Sequence, residues 1–171
     1  MKVLMTGAAG FIGGHAYDHF VSCKDDVLVL DKLSYAANVK TKNKIKNLIQ
    51  IDISDSDIFP IIKKFNPDFI LNFACPASPK QYQFNPVKTI ETNFLGMSNL
   101  LRLATVTKSK VLQASTSEVY GDPTISPQIE DYWGNVNPIG IRSCYDEGKR
   151  SAETLCFDYM RQFNVDVRVV R

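Results

Sequence analysis

Short apolar runs alternate along this chain with longer segments whose apolar positions recur at helical spacing. The runs predict strands at Val3–Met5, Val27–Leu30, Leu48–Ile51, Phe69–Phe73, Val111–Gln113 and Val165–Val170. The longer segments predict helices at about 11–22, 56–65, 81–106 and 145–163. Several runs are almost continuously apolar, which is typical of parallel strands buried on both faces. The pattern therefore predicts an α/β fold, a parallel sheet of about six strands with helices on both faces and right-handed crossovers.

Two segments interrupt this alternation. The Lys/Asn-rich stretch 38–47 fits a solvated loop or a short helix, and the Pro/Gly-rich segment 121–144 is long enough to be a functional loop. With 171 residues, the chain has the size of one domain, covering 1–171. It ends on the sixth predicted strand, so we expect no further region to follow that strand.

Composition and charge narrow the possible partners. The formal net charge is only +2, which gives no reason to expect nucleic acid or an anionic membrane as a partner. No signal peptide or membrane-spanning apolar stretch is visible. The four cysteines have no CxxC spacing and indicate reduced thiols, so we expect a cytoplasmic protein. His15 and His19 lie one helical turn apart without a plausible third ligand, and we predict no metal site.

A glycine-rich loop follows the first predicted strand and opens the first predicted helix. Gly7, Gly10 and Gly13 form a GxxGxxG pattern in which the absence of Cβ atoms permits a tight turn and close approach to a pyrophosphate. The helix N-terminus adds free N–H groups and a positive dipole end. This context predicts a dinucleotide-binding fold of the Rossmann type.

Asp31, at the end of the second predicted strand, indicates the cofactor. A carboxylate at this position accepts hydrogen bonds from the ribose hydroxyls of NAD and repels the 2′-phosphate of NADP. Lys32, Lys40 and Lys42 support the competing NADP interpretation, but the acidic residue favours NAD. Asp52, which is also interpretable as a helix cap or a turn residue, is expected near the adenine. The predicted cofactor contacts are Gly7, Gly10, Phe11, Ile12, Gly13, Asp31, Asp52, Ala74, Thr92, Tyr145 and Lys149.

A second group of candidate residues follows the fifth predicted strand and opens the last helix. Tyr145 and Lys149 are spaced i, i+4, so both side chains project from one helix face, and an adjacent ammonium lowers a phenol pKa toward the range of a general base. Residues just past the ends of parallel strands line the ligand crevice. Thr116 and Glu118 are therefore expected to contact the reacting hydroxyl and its neighbouring carbon.

These motifs together resemble the extended short-chain dehydrogenase/reductase family that acts on nucleotide sugars. The resemblance is closest to UDP-glucuronate decarboxylases (UDP-xylose synthases), and six segments carry it. They are Ser115–Pro123, Glu130–Gly134, Asn137–Gly140 and Cys144–Arg150, together with Pro76–Pro79 and Lys88–Asn93.

The resemblance implies a reaction that begins and ends with the same oxidation state of NAD. Tyr145 would take the proton of the sugar 4-hydroxyl while hydride passes to NAD, the 4-keto sugar would lose its C6 carboxylate, and the hydride would return to give UDP-xylose. Lys149 would also hold the nicotinamide ribose. The implied substrate contacts are Ser78, Asn99, Thr116 and Tyr145. The resemblance also implies a homodimer through helices 81–106 and 145–163.

Two other kinds of function are compatible with the sequence. The segment Asp31–Asn38 looks like that of dTDP-glucose 4,6-dehydratases, but Ser117 stands where dehydratases have an acidic Asp, which favours decarboxylation over a dehydratase or an epimerase. A non-catalytic NAD-binding remnant is the other alternative. It is suggested by Glu91 and Thr105-Val106 at positions that are basic in the family, and by the expected absence of the family's C-terminal nucleotide-sugar-binding region.

Overall fold

The protein forms a single six-stranded parallel sheet in a computed structural model that describes residues 1–34 and 43–171. The strands are β1 (Lys2–Thr6), β2 (Asp26–Asp31), β3 (Leu48–Gln50), β4 (Phe69–Asn72), β5 (Lys110–Ala114) and β6 (Val167–Val170). Their order across the sheet is β3-β2-β1-β4-β5-β6, and every neighbouring pair is parallel. This is the Rossmann-type arrangement, and the predicted fold class is confirmed.

The described helices cover both faces of this sheet. They are α1 (Phe11–Ser22), α2 (Ile58–Phe65), α3 (Pro79–Tyr82), α4 (Pro86–Thr107) and α5 (Ser143–Phe163), with a 3₁₀ turn at Ser117–Tyr120. No described helix is long and apolar enough to cross a bilayer. Residues 35–42, which include the first half of the predicted 38–47 segment, lie outside the described residues.

Alternating side chains of the strands build two cores. On one face, Leu4 and Ile70 pack with Met97, Leu100 and other residues of α2, α4 and α5. On the other face, Val3, Met5 and their neighbours pack with Tyr17 of α1. Each fully buried Leu or Ile side chain contributes about 1.5–3 kcal/mol. The near-continuous apolar runs therefore reflect burial on both faces, as predicted.

Several element boundaries differ from the predictions by one or two residues, and two of the differences have a clear physical cause. The helix predicted over 81–106 is split into α3 and α4, because Pro86 cannot donate a backbone hydrogen bond and Asn85 caps the new N-terminus by accepting from the N–H of Lys88 at 3.1 Å. The sixth strand begins at Val167 rather than Val165, since Asn164 ends α5 in the left-handed region and Val165 belongs to the turn.

A buried polar chain crosses the carboxyl edge of the sheet. Thr6 of β1 donates to the side-chain oxygen of Asn72 on β4 at 2.6 Å, and the amide of Asn72 donates to Gln113 on β5 at 2.7 Å. All three side chains are buried, so an unpaired member would cost about 1–3 kcal/mol. These two side-chain hydrogen bonds fix the register of the strand ends from which the site is built.

Candidate active site

A cavity of about 490 Å³ opens at the carboxyl ends of β1, β2, β3 and β4. Among the predicted site residues, those that line it are Gly7, Gly10, Phe11, Asp31, Asp52, Ala74, Ser78 and Thr92. Phe11 and Ile12, in the first turn of α1, are exposed. Gly13 is buried behind the loop and supports it without lining the cavity.

The glycines of the loop are required by contacts within the protein. Gly7 has a φ of +71°, and a Cβ there would lie 2.7 Å from the backbone nitrogen of Ala74, so the loop packs directly on the end of β4. A Cβ on Gly13 would lie 2.8 Å from the Cα of Ala8. Gly10, the N-cap of α1, places the start of the helix at the cavity. The arrangement presents helix N–H groups to an anionic ligand.

Asp31 is held in place by the loop that it faces. One carboxylate oxygen accepts the N–H of Ala9 at 2.9 Å, and the other accepts the N–H of Leu33 at 2.8 Å. Each oxygen keeps a further lone pair that can accept a hydroxyl. The carboxylate is therefore oriented at the cavity wall, where it can accept ribose hydroxyls.

Asp52 lines the cavity and is paired with two lysines. The carboxylate is 8% exposed, and it pairs with Lys32 at 2.9 Å and Lys88 at 3.0 Å. Burial opposes its ionisation, but hydrogen bonds from Lys32, Ser54 and Lys88 outweigh burial and hold the pKa of Asp52 below its usual range. It also accepts the backbone N–H of Ser54 at 3.0 Å, as a turn residue does. Lys32 is thus committed to a carboxylate; Lys40 and Lys42 lie outside the described residues.

Tyr145 and Lys149 are both buried on one face of α5, at 8% and 5% exposure. The Lys149 ammonium donates to the carbonyl of Ala114 at 2.8 Å and lies 5.9 Å from the centre of the Tyr145 ring. The predicted lowering of the phenol pKa is wrong for this arrangement. Burial raises the pKa of Tyr145 to about 12, and a hydrogen bond with Thr116 opposes this rise without overcoming it. Burial also lowers the pKa of Lys149.

Thr116 and Glu118 lie on the 3₁₀ turn after β5. Thr116 is the N-cap of the turn and accepts the N–H of Glu118 at 3.3 Å. The Glu118 carboxylate pairs with the guanidinium of Arg142, a residue that the sequence reasoning did not identify. Asp146 lies next to them. Burial and the neighbouring Glu118 raise the pKa of Asp146 to about 6, against the lowering effect of Arg142 and Arg150.

Tyr82 is a further residue that the sequence reasoning missed. Its ring stacks on that of Tyr145, with centroids 5.1 Å apart and an angle of 14° between the planes. Cys75 connects this region to the cavity, which it lines, while its sulfur accepts the amide of Asn93 at 3.0 Å. Proximity to the motif at 76–79 was the only available signal for Tyr82, because the predicted single helix over 81–106 concealed the separate turn that carries it.

The remaining predicted site residues lie in two separate places. Tyr145, Lys149, Thr116 and Glu118 lie together beyond Cys75 and are not among the cavity-lining residues. Asn99 is not brought to the site at all. Its amide donates to the backbone carbonyl of Ile53 at 3.1 Å. This hydrogen bond ties α4 to the segment that follows β3. In residues 1–34 and 43–171, no group of three or more His, Cys, Asp or Glu is placed to hold a metal ion.

Comparisons with known proteins give a matching family and several similar relatives. The profile of the NAD dependent epimerase/dehydratase family matches residues 3–171. UDP-glucuronic acid decarboxylase 4 of Arabidopsis thaliana is 48% identical over all of this chain and 38% of its own length, and UDP-glucuronic acid decarboxylase 1 of Danio rerio is 45% identical over 99% of the chain and 40% of its own. The chain thus spans about two fifths of these relatives.

A solved structure provides the third comparison. UDP-glucose 4-epimerase of Thermotoga maritima, determined with UDP-glucose, superimposes with a TM-score of 0.89 at 26% identity. The match covers 100% of this chain and 55% of that one.

Proposed function

The chain belongs to the NAD-dependent epimerase/dehydratase family, and from this premise we propose that it catalyses NAD-dependent decarboxylation of UDP-glucuronate to UDP-xylose. The observation that carries the proposal is the grouping of Tyr145, Thr116 and Glu118 beside a cavity built by a glycine loop and Asp31. The 45–48% identity to UDP-glucuronic acid decarboxylases supports this reaction over others in the family.

The residues around the cavity fit NAD. Asp31 would accept the ribose hydroxyls, and the first turn of α1 would bind the diphosphate. A Cβ at Gly7 would collide with the backbone at Ala74, so only glycine keeps this wall in place. NAD bound there would supply a hydride acceptor that later returns the hydride. Thr92, Ala74 and Asp52 complete the proposed cofactor contacts.

Tyr145 would hold and move the proton of the sugar 4-hydroxyl. With a pKa of about 12 its phenol is protonated at neutral pH, so it cannot act as a base until positive charge approaches. Lys149 can supply that charge by turning from the Ala114 carbonyl toward the phenol, since both side chains share one helix face. Thr116 would keep the phenol and the reacting hydroxyl in line.

The residue at 117 distinguishes decarboxylation from dehydration. A ketone at C4 of a glucuronate makes the C6 carboxylate a β-keto acid, which loses carbon dioxide without an acid catalyst at that carbon. Dehydration must protonate a departing hydroxyl, and Ser117 cannot donate a proton near neutral pH. Ser117 and the pairing of Glu118 with Arg142 therefore favour decarboxylation. Ser78, Thr116 and Tyr145 would contact the sugar nucleotide.

A homodimer is part of the proposal. An apolar groove between α4 and α5 exposes Ile90, Phe94 and Leu95, with Phe157 also exposed on α5. Exposed apolar side chains grouped on one face are typical of association surfaces. Sedimentation velocity should show a dimer that Phe94→Glu converts to a monomer. A wild-type monomer at micromolar concentration would contradict this part.

A second candidate is NAD binding without turnover. Glu91 favours it, because this half-exposed carboxylate, 4.0 Å from the ammonium of Lys88, would repel an anionic substrate. It predicts normal NADH affinity with no binding of UDP-glucuronate. Micromolar UDP-glucuronate binding in calorimetry would exclude it.

The test is a competition between substrates. The chain is incubated with NAD and equal amounts of UDP-glucuronate and dTDP-glucose, and the products are measured by mass spectrometry. We expect loss of carbon dioxide from the uridine sugar and no change in dTDP-glucose. Turnover of dTDP-glucose alone would indicate a dehydratase, and no turnover of either sugar would contradict the proposal.

A further inference from the structure

Glu153 is a buried carboxylate without a role in the chemistry described above. It is 7% exposed and follows Tyr145 and Lys149 on α5 at successive intervals of four residues. The three side chains therefore lie on one face of the helix. A buried carboxylate requires charged or hydrogen-bonding partners, because its desolvation is costly. Its partners lie on two other elements, the segment after β5 and Arg171 after β6.

One end of the segment Ser115–Tyr120 is bound directly to Glu153. The Ser115 hydroxyl donates to one oxygen of the carboxylate. Arg171 donates to both oxygens, with its Nε at 3.1 and 3.2 Å and its Nη2 at 2.7 Å. Such two-pronged pairing fixes orientation as well as charge.

The other end of the segment is bound through the same arginine. Nη1 of Arg171 donates to the Tyr120 hydroxyl at 2.8 Å, and the guanidinium lies 5.0 Å from the centre of the Tyr120 ring. Between the two attachments, Arg150 of α5 donates to the carbonyl of Val119 at 2.9 Å. The segment is therefore held at Ser115, at Val119 and at Tyr120.

We infer that Glu153 is a positioning residue, which through Ser115 and Arg171 fixes the Ser115–Tyr120 segment and thereby places Thr116 and Glu118 opposite Tyr145. The effect of Glu153 on catalysis rests on the proposed function, but its effect on the Ser115–Tyr120 segment does not. The negative charge is essential, since a neutral side chain would leave the Arg171 guanidinium without its carboxylate partner. The same charge favours the protonated form of its neighbour Lys149.

The experiment measures the segment before it measures turnover. Hydrogen exchange of the full chain is followed by mass spectrometry in wild type, Glu153→Gln and Ser115→Ala. The N–H of Val119 bonds to the Thr116 carbonyl at 3.3 Å, and that of Gly121, just after the segment, bonds to the Glu118 carbonyl at 3.0 Å, so both amides report on the turn. Asp158→Asn, which breaks an exposed ion pair with Arg161 on the same helix, is the matched control.

We expect exchange over 116–121 to accelerate by about tenfold or more in Glu153→Gln, with β1 and β4 unchanged. Ser115→Ala, which removes a single hydroxyl, should give a smaller acceleration of the same peptides. The proposal is overturned if exchange in this segment is unchanged, or if all peptides accelerate equally, as a loss of overall stability would produce. If Glu153→Gln does not fold, the result for Ser115→Ala decides.

A second measurement tests the catalytic consequence. For the decarboxylation, Glu153→Gln should lower kcat by about 100-fold, as expected for misplacement of groups near the reacting atoms, with KM within about threefold of wild type. An equal effect from Asp158→Asn, or a change in KM alone, would overturn it. If the wild-type chain does not turn over UDP-glucuronate, the proposed function fails while the exchange result still decides the role of Glu153.

Discussion

Asp52 and Asp146 are carboxylates at opposite ends of the site, and their pKa values are displaced in opposite directions. At the cofactor end, Lys32 and Lys88 stabilise the charge on Asp52 and lower its pKa. At the reaction end, burial and the nearby Glu118 raise the pKa of Asp146 to about 6. At the cofactor end, the charge of Asp52 is therefore paired with two lysines. At the reaction end, the carboxylates of Asp146 and Glu118 lie close together.

The two ends also differ in what builds them. Backbone groups and glycines shape the cofactor end, where the loop packs on β4 and Asp31 is fixed by two N–H groups. Buried ionisable side chains shape the reaction end, including Tyr145 and Lys149. Unfavourable electrostatics of this kind cluster at functional sites, where proton affinities are adjusted for chemistry. The difference indicates that binding and proton transfer are separable by mutation.

The largest expected effect separates the two ends through Tyr145. Tyr145→Phe should lower the rate of decarboxylation by about 10²–10⁴-fold, the usual contribution of a general acid–base group. NADH affinity should change by less than about tenfold, because a neutral hydrogen bond contributes only about 0.5–1.5 kcal/mol. Product formation and fluorescence titration of NADH check the two values.

Tyr159→Phe is the matched control, since Tyr159 lies on the same helix and packs against the core. It should leave the rate within about twofold, as the removal of a hydroxyl away from the site does. Unchanged activity in Tyr145→Phe would show that Tyr145 is not the acid–base group of the reaction.

The next effect tests the cofactor end alone. In Gly13→Ala, the new Cβ would meet the Cα of Ala8 at 2.8 Å, so the loop must shift. We expect about 1–3 kcal/mol of destabilisation from overpacking and at least about tenfold weaker NADH binding. Calorimetry and urea unfolding measure both.

Gly10→Ala provides the graded comparison within the loop. Its Cβ would meet only the carbonyl of Gly7, at 3.2 Å, and its effect on both quantities should be smaller. Equal effects from the two variants would show that the tight packing behind the loop does not govern binding.

Asp52→Asn should reveal the favourable electrostatics of the cofactor end. Because the folded-state pKa of Asp52 is lowered, its ionised form stabilises the protein above the ordinary carboxyl pKa of about 4, and this contribution is lost as the pH falls below that value. The variant should lose about 1–3 kcal/mol at pH 7, the contribution of hydrogen bonds to a charged group, and less at pH 3. Urea unfolding at both pH values measures it.

Asp18→Asn serves as the control for this effect. Asp18 and Lys44 form an exposed pair at 3.8 Å, which should contribute less than about 1 kcal/mol. A loss in Asp52→Asn that does not depend on pH would contradict the role assigned to its charge.

The smallest effect has the opposite sign. Because the pKa of Asp146 is raised to about 6, its ionisation costs stability as the pH rises from about 4 to about 6. Asp146→Asn should therefore stabilise the protein at pH 7.5 by up to about 1 kcal/mol, a value limited by solvent screening, and have no effect below pH 4. Thermal unfolding at the two pH values checks this. Destabilisation at pH 7.5 would show that the two ends do not differ as described.

Local sequence patterns predicted the backbone-built parts of the molecule well. The order of strands and helices follows from burial, and the glycine loop and Asp31 are recognisable from their places directly after the first strand and at the end of the second. The split at Pro86 was missed because apolar spacing continues across it, although a proline at the first turn of a helix is a recognisable start signal.

The electrostatics of the reaction end could not be predicted from spacing. The i, i+4 relation of Tyr145 and Lys149 was correct, but burial is the main cause of the pKa shifts of both groups, and the ammonium donates to the Ala114 carbonyl. Tyr82 reaches the site from α3, Arg142 at the N-cap of α5 pairs with Glu118 on the turn after β5, and Asn99 is bonded to Ile53 instead. Such contacts are set by tertiary packing.

One measurement tests most directly whether both ends serve a single reaction. UDP-glucuronate labelled with ¹³C at C6 is incubated with the chain and NAD, and labelled carbon dioxide, UDP-xylose and NADH are quantified together. The account predicts labelled carbon dioxide and UDP-xylose in equal amounts, with no accumulation of NADH. Tight binding of NADH without release of labelled carbon dioxide would contradict it and leave the protein with a cofactor site alone.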